Sequence, residues 1–169
     1  VGLGQMGGPM ATNVAKGGAD LIVYDKAGTA ERAPAGTKLA NSLGDVLSSA
    51  DTIFLSVPDG PISIALAKEI AAAEGRRTKV VIDLSTIGPV ASKEANEILK
   101  AAGVTYIDAP VSGGQSGAVA GTITIMWGGP KKVLDDHMEI MKSFSGNVFH
   151  CGEHPGQGQA VKILNNYLS

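Results

Sequence analysis

Lys162 and Asn166 are the pair of side chains best suited to chemistry in this sequence. Residues four apart lie on the same face of a helix, so both side chains can reach one small molecule. A partly buried lysine amine has a lowered pKa and exchanges protons near neutral pH, and an asparagine one turn away can orient the same oxygen atom. The pair therefore indicates an acid–base site, although an exposed lysine on a surface helix would give the same pattern.

A glycine-rich segment near the start of the chain matches the dinucleotide-binding pattern G-x-G-x-x-G. The first glycine permits a tight turn, the second lets a pyrophosphate approach the backbone, and the third lets the next helix pack closely. The amino terminus of that helix then offers free N–H groups to the phosphates. A plain glycine turn is the alternative interpretation. The residues expected to contact the cofactor in this segment, the glycine loop, are Gly2, Leu3, Gly4, Gln5, Met6 and Gly7.

Asp25 follows the next predicted strand, close to the spacing of about 20 residues expected for a carboxylate that binds the adenosine ribose. Such a carboxylate accepts from the ribose 2′-hydroxyl and repels a 2′-phosphate, which favours NAD over NADP. Lys26 is adjacent, and its ammonium group would partly offset that repulsion. We therefore expect NAD as the cofactor, with NADP as the alternative.

Two further strands end in residues suited to a ligand-binding crevice. Val57 and Pro58 follow one strand and Thr86 follows the next. In an open parallel sheet, ligands bind beyond the carboxyl ends of the strands. We expect these three residues to face the cofactor, with Thr86 near the nicotinamide ribose. The alternative for Thr86 is that it caps the helix beginning at Pro89.

A serine–glycine loop, Ser112, Gly113 and Gly114, follows another predicted strand. Its serine hydroxyl and backbone N–H groups can form a concave set of donors that suits a carboxylate. A flexible glycine loop with no ligand is the alternative. We predict no metal site, because the only group of possible ligands, at 150–154, has no second cluster to complete a zinc set.

The elements that must position these residues alternate along the whole chain. Predicted strands cover residues 1–3, 21–24, 52–57, 79–83, 104–108, 123–127 and 147–149, and helical periodicity lies between them. Such alternation requires parallel pairing through right-handed crossovers. The expected fold is therefore a Rossmann-type, doubly wound, mostly parallel α/β sheet over residues 1–155. Residues 156–169 are expected to begin a long interdomain helix.

Composition restricts the classes of function. The chain has 169 residues, 44% of them hydrophobic and 18% charged, which suits one globular domain with a full core. A net charge of −2 gives no basic surface for nucleic acid, and no apolar run approaches the length of a bilayer span. The one cysteine agrees with a reducing cytoplasm. We also expect residues before Val1 and after Ser169, because a first strand normally has about five or six residues.

Four segments, in this order, resemble the β-hydroxyacid dehydrogenase family, which includes 3-hydroxyisobutyrate dehydrogenase and tartronate semialdehyde reductase. The matching segments are residues 2–13, 83–86 and 108–114, and the pattern Gly156-x-Gly158-x-x-x-Lys162-x-x-Asn165-Asn166. The resemblance covers essentially the whole chain. It implies a Rossmann-type domain, a long interdomain helix and an all-helical domain through which the enzyme forms a homo-oligomer.

The same resemblance implies roles for individual residues. Lys162 would be the catalytic acid/base, Asn166 would help to hold the substrate, the serine–glycine loop would bind the substrate carboxylate, and Thr86 would lie against the nicotinamide. The implied reaction is NAD(P)-dependent oxidation of a small 3-hydroxy acid or reduction of its semialdehyde. Imine reduction on the same scaffold and a non-catalytic nucleotide-binding module are the alternatives. The lysine argues against both.

Overall fold

A computed structural model describes all residues from 1 to 169. Its helices are α1 (Gly7–Lys16), α2 (Leu43–Ser49), α3 (Gly60–Ala72), α4 (Pro89–Ala101), α5 (Gly114–Ala120), α6 (Lys131–Phe144) and α7 (Gln157–Leu168). Its strands are β1 (Ile22–Val23), β2 (Lys38–Leu39), β3 (Thr52–Leu55), β4 (Val80–Asp83), β5 (Thr105–Asp108), β6 (Val111–Ser112), β7 (Ile123–Gly128) and β8 (Ser145–Gly152). No helix is both long and apolar enough to cross a membrane.

The strands form a two-stranded sheet, β1 with β2, and a six-stranded sheet in the order β3-β4-β5-β7-β6, with β8 also paired to β7. The first residues of the chain link the two sheets. Val1 bonds on one side to β3, where its amine donates to the carbonyl of Phe54 at 2.8 Å and its carbonyl accepts from Ser56 at 2.9 Å. Gly2 donates on the other side to the carbonyl of Tyr24 at 2.9 Å. The segment predicted as the first strand therefore lies between β1 and β3.

Pairing is parallel between β1 and β2, through β3, β4 and β5, and between β7 and β8, as expected for a doubly wound sheet. The difference lies at β7, which runs antiparallel to both β5 and β6. Only the short segment containing α5 connects β6 to β7, whereas a parallel return needs a crossover of about a dozen residues or more. The short strands β2 and β6 and the seven-residue helices α2 and α5 were not predicted, because they are too short to show a hydrophobic period.

Alternate residues of the central strands supply two hydrophobic cores, one on each face of the sheet. Ile82 and Ile107 belong to one core, and their neighbours Val81 and Tyr106 belong to the other. The first core packs against α1 and α6 and contains Trp127, which is completely buried. Both faces of the sheet are thus covered, which leaves its carboxyl edge for ligands.

Helix α3 departs from the burial that its sequence predicts. The apolar period predicts a buried stripe of Ile62, Leu66 and Ile70, but of these three only Ile70 is fully buried. Ser63 and Ala67 complete the buried face. The other two stripe residues line a surface crevice, and Leu66 also packs against the edge of the second core.

Arg76 joins the carboxyl ends of two helices. One guanidinium nitrogen donates to the carbonyls of Ala71 and Ala73 at the end of α3, and another donates to the carbonyl of Ala102 at the end of α4. These carbonyls have no partner within their helices. We expect Arg76→Ala to lower the free energy of unfolding by about 1–3 kcal/mol in urea denaturation. Arg77→Ala is the matched control, because the bonds of Arg77 to Asp51 and to the carbonyl of Ser49 lie on the exposed surface, and equal losses in the two variants would contradict this account.

Candidate functional site

A crevice of about 1190 Å³ opens at the carboxyl edge of the sheet. Among the residues singled out from the sequence, all but Leu3 and Asn166 line it. Those lining residues are Gly2, Gly4, Gln5, Met6, Gly7, Asp25, Lys26, Val57, Pro58, Thr86, Ser112, Gly113, Gly114 and Lys162. The tertiary structure thus brings the glycine loop, the strand-end loops and the lysine together around one ligand-sized space.

Four consecutive backbone N–H groups of the glycine loop, from Gly4 to Gly7, donate no hydrogen bond within the chain. They lie at the amino terminus of α1, whose first turn carries no acidic residue. Unpaired N–H groups and the positive end of the helix dipole together attract a phosphate. This part of the crevice therefore fits the pyrophosphate of a dinucleotide.

The glycines of this loop differ in what a side chain would meet. At Gly7 an added Cβ would overlap the carbonyl oxygen of Gly2, and at Gly2, with a φ of +88°, it would overlap the carbonyl oxygen of Ser56. At Gly4 an added Cβ has no atom within 4 Å from any residue beyond its two neighbours in the chain. Gly2 and Gly7 are therefore required by the fold, whereas Gly4 leaves space beside the loop for a ligand.

Asp25 is fixed at one end of the crevice by backbone donors. Its carboxylate accepts from the N–H of Leu3 at 2.7 Å and from the N–H of Ala27 at 2.8 Å. The guanidinium of Arg32 approaches the same carboxylate at 4.0 Å and also lines the crevice. Leu3 itself is buried, so its contribution to the site is this backbone bond rather than a side-chain contact with a ligand.

Ser85 ties together the two strand-end loops in the middle of the crevice. Its hydroxyl accepts from the N–H of Val57 at 2.9 Å, and its own N–H donates to the buried carboxylate of Asp83 at 3.0 Å. Asp83 also accepts from the hydroxyls of Ser63 and Tyr106. Burial raises the pKa of Asp83, and these hydrogen bonds oppose that rise. These hydrogen bonds fix the position of the loop after β4 relative to the loop after β3.

Thr86 lies in the loop that Ser85 holds, and it lines the crevice. Helix α4 begins at Pro89, as expected from the sequence, but its amino-terminal cap is Gly88 with no side-chain cap bond. The alternative role of Thr86 as the cap of this helix is therefore wrong, and its hydroxyl is available to a ligand.

Lys162 is buried in α7 with 8% of its surface exposed, and it lines the crevice. Burial lowers the pKa of its amine from the usual lysine range. The first turn of α7 is anchored by Asp108, whose carboxylate accepts from the N–H groups of Gly156 and Gln159, both at 2.8 Å. Burial raises the pKa of Asp108 to about 6, opposed by these two bonds. The lysine is thus carried by a helix that is fastened to the end of β5.

The two asparagines after Lys162 lie differently. Asn166 is exposed and does not line the crevice. Asn165 is half-buried, and its amide donates to the hydroxyl of Ser112 at 3.0 Å. In the serine–glycine loop, the N–H groups of Gly113 and Gly114 donate no hydrogen bond within the chain. The loop therefore offers free donors beside Ser112, in keeping with the expected carboxylate site.

Several residues of the site were not predicted from the sequence as functional residues, among them Arg32, Ser85 and Gln159. Gln159 had a usable signal, because it lies three residues before Lys162 and therefore on the same face of α7. Ser85 also had a signal, because it lies within residues 83–86, one of the segments that resemble the family. Arg32 had none, because no motif includes it, although its partner Asp25 lies only seven residues earlier in the chain. No group of three or more His, Cys, Asp or Glu side chains comes together in a geometry that holds a metal ion.

The sequence profile of the NAD-binding domain of 6-phosphogluconate dehydrogenase matches residues 1–152. Mitochondrial 3-hydroxyisobutyrate dehydrogenase of Homo sapiens is 39% identical over 175 residues, which cover 99% of this chain and 51% of that protein. A solved structure of Mycobacterium tuberculosis 3-hydroxyisobutyrate dehydrogenase with L-serine has a TM-score of 0.89 and 31% identity, covering 99% of this chain and 57% of that one.

The imine reductase of Streptomyces aurantiacus has a similar structure, with a TM-score of 0.86 and 26% identity over 99% of this chain and 59% of that one. The chain spans between half and three-fifths of the length of these relatives. The similarity therefore covers the nucleotide-binding part of those proteins and a short segment beyond it.

Proposed function

Because the chain belongs to the β-hydroxyacid dehydrogenase family, as an NAD-binding domain of the 6-phosphogluconate dehydrogenase type, we propose that the full-length protein is an NAD(P)-dependent dehydrogenase. Its substrate is a small 3-hydroxy acid, or the corresponding semialdehyde in the reverse direction. The observation that carries the proposal is the buried Lys162 in the same crevice as the glycine loop and the serine–glycine loop. An acid–base group, donors suited to a phosphate and donors suited to a carboxylate then surround one space.

The residues that line the crevice have different roles in the proposed reaction. A bound nicotinamide ring supplies the acceptor for the hydride that leaves the alcohol carbon. Lys162, as a neutral amine, accepts the proton of the alcohol and returns it in the reverse direction. Its lowered pKa supports this role, because desolvation favours the neutral amine. The serine–glycine loop holds the substrate carboxylate through free N–H groups and the hydroxyl of Ser112, and Thr86 lies against the cofactor.

The role of Asn166 stays a prediction. The Asn166 side chain is exposed and lies outside the crevice, whereas the amide of Asn165 donates to the hydroxyl of Ser112. We propose that residues 156–169 begin an interdomain helix and that a helical domain covers its exposed apolar side chains. The exposed residues that support this are Ile163, Leu164, Tyr167 and Leu168. Assembly into a homo-oligomer through that domain, and a cytoplasmic location, are part of the same proposal.

The proposal is tested by mixing the full-length protein with NAD+ or NADP+ and a panel of 3-hydroxy acids, including 3-hydroxyisobutyrate and L-serine, and following NADH or NADPH absorbance. Turnover of a hydroxy acid is the expected result. A panel of cyclic imines with the reduced cofactor tests the alternative, which is favoured by the structural similarity to an imine reductase. Cofactor binding without turnover of either panel would contradict the proposal and favour a non-catalytic module.

Asp25 is proposed to set a preference for NAD over NADP. Its carboxylate repels a 2′-phosphate, while Arg32 and Lys26 at the same end of the crevice reduce that repulsion. We expect Asp25→Asn to shift the ratio of the Kd values toward NADP+ by about tenfold, as measured by fluorescence titration of both cofactors. Asp20→Asn is the control, because Asp20 pairs with Lys38 on the exposed surface. An unchanged ratio in Asp25→Asn would argue that this carboxylate does not face the ribose.

A further inference from the structure

Gln159 is the one side chain of α7 that forms hydrogen bonds with the loop following β4. It is 1% exposed, and its amide oxygen accepts from the N–H groups of Ile87 and Gly88, both at 3.1 Å. Its amide nitrogen donates to the carbonyl of Ser85 at 2.8 Å. Three hydrogen bonds from one buried side chain therefore bracket Thr86, the residue of this loop that lines the crevice.

The same side chain lies three residues before Lys162, so the two project from one face of the helix. The backbone next to Gln159 is also closely packed against the sheet. Asp108 accepts from the N–H of Gln159, and a Cβ added at Gly158 would overlap the carbonyl oxygen of Met126 in β7. The first turn of α7 thus rests directly on β5 and β7, and Gln159 extends from it across to the loop after β4.

The loop after β4 is in turn hydrogen-bonded to the loop after β3. The hydroxyl of Ser85 accepts from the N–H of Val57, so a displacement of residues 85–88 would pass to the loop after β3. We propose that Gln159 is a positioning residue, whose amide sets the placement of Lys162 relative to Thr86 and the cofactor side of the crevice. The inference rests on the proposed function, in which Lys162 exchanges the substrate proton.

The role depends on a property of the amide that other side chains lack. Accepting from two N–H groups while donating to a carbonyl requires an acceptor and a donor on one planar group, and of the uncharged side chains only glutamine supplies both at this reach. Removing it leaves the buried carbonyl of Ser85 and the half-buried N–H groups of Ile87 and Gly88 without partners. The loop and the helix would then separate or shift, and a misplacement of about 1 Å costs on the order of 10²-fold in rate.

The test uses Gln159→Ala in the full-length protein, with Gln157→Ala as the matched control. Gln157 is an exposed glutamine in the same turn, and its amide oxygen accepts only from the N–H of His154. We expect Gln159→Ala to lower kcat by about 10- to 100-fold, a larger change than in the KM for the hydroxy acid or in the Kd for NAD+. Gln157→Ala is expected to leave kcat within about twofold.

A second readout separates positioning from simple support of the fold. The pKa of the Lys162 amine, measured by NMR on 13C-methylated lysines, is expected to move toward the usual lysine range in Gln159→Ala, because displacement of the loop after β4 gives water access to the amine. An unchanged Lys162 pKa, or a kcat within twofold of the parent, would overturn the proposal. This readout needs no turnover, so it still decides the proposal if the full-length protein oxidises no hydroxy acid and the proposed function fails.

Gln159→Glu serves if the alanine variant does not fold. Its carboxylate keeps the acceptor for Ile87 and Gly88 but cannot donate to the carbonyl of Ser85. A kcat reduced about tenfold or more, together with a changed Lys162 pKa, is expected. A parental kcat in this variant would overturn the proposal, because it would show that the donor half of the amide has no role.

Discussion

Replacing Lys162 with alanine in the full-length protein is expected to lower kcat by about 10²- to 10⁴-fold, the range that one acid–base group contributes. The reason is the placement of the amine, which is buried and lines the crevice where the glycine loop and the serine–glycine loop converge. The Kd for NAD+ is expected to stay within about threefold, because the free N–H groups proposed to bind the pyrophosphate belong to the glycine loop and not to α7.

The dependence of this effect on pH has a defined sign. Oxidation requires the neutral amine, so kcat/KM for the hydroxy acid is expected to rise with pH through an apparent pKa below the usual lysine range. Lys162→Arg keeps the charge but cannot lose its proton, so it is expected to be as inactive as Lys162→Ala and to lack the rise. Lys142→Ala, on the exposed side of α6, is the control. A kcat in Lys162→Ala equal to that of the parent would rule out the acid–base role.

Gly4→Ala is expected to raise the Kd for NAD+ by about 10- to 100-fold while leaving the melting temperature nearly unchanged. An alanine methyl group at this position has no atom within 4 Å from any residue beyond its two chain neighbours, so the folded chain accommodates it. It would instead occupy the space where a pyrophosphate approaches the four free N–H groups of the glycine loop. The loss of affinity is then attributable to the ligand and not to the fold.

Gly7→Ala supplies the contrast within the same loop. Its Cβ would overlap the carbonyl oxygen of Gly2, so this variant is expected to lose stability as well as affinity. Calorimetry for the melting temperature and isothermal titration with NAD+ measure the two effects separately. If Gly4→Ala bound NAD+ as tightly as the parent, the pyrophosphate could not lie against this glycine, and the assignment of the glycine loop would fail.

Local patterns located most of the elements correctly. The period of apolar residues located α1, α4, α6 and α7, and the runs of β-branched residues located β3, β4, β5 and β7. The antiparallel direction of β7 could not be predicted in the same way. Strand direction depends on the length and path of the connection. The ten residues between β6 and β7 contain a helix that is too short for a parallel crossover, and its sequence shows no period from which that helix could be predicted.

The family, the glycine loop with Asp25 at its expected spacing, and Lys162 as the side chain to test could all be predicted from the amino-acid sequence. All of these depend on residues near one another in the chain, where spacing fixes geometry through the turn and the helix period. Three contacts became visible in the folded chain alone: Asp108 anchors α7, Gln159 bonds to the loop containing Thr86, and Asn165 rather than Asn166 contacts Ser112. These contacts join segments more than 50 residues apart, so they are set by how the sheet and its helices pack and not by any local pattern.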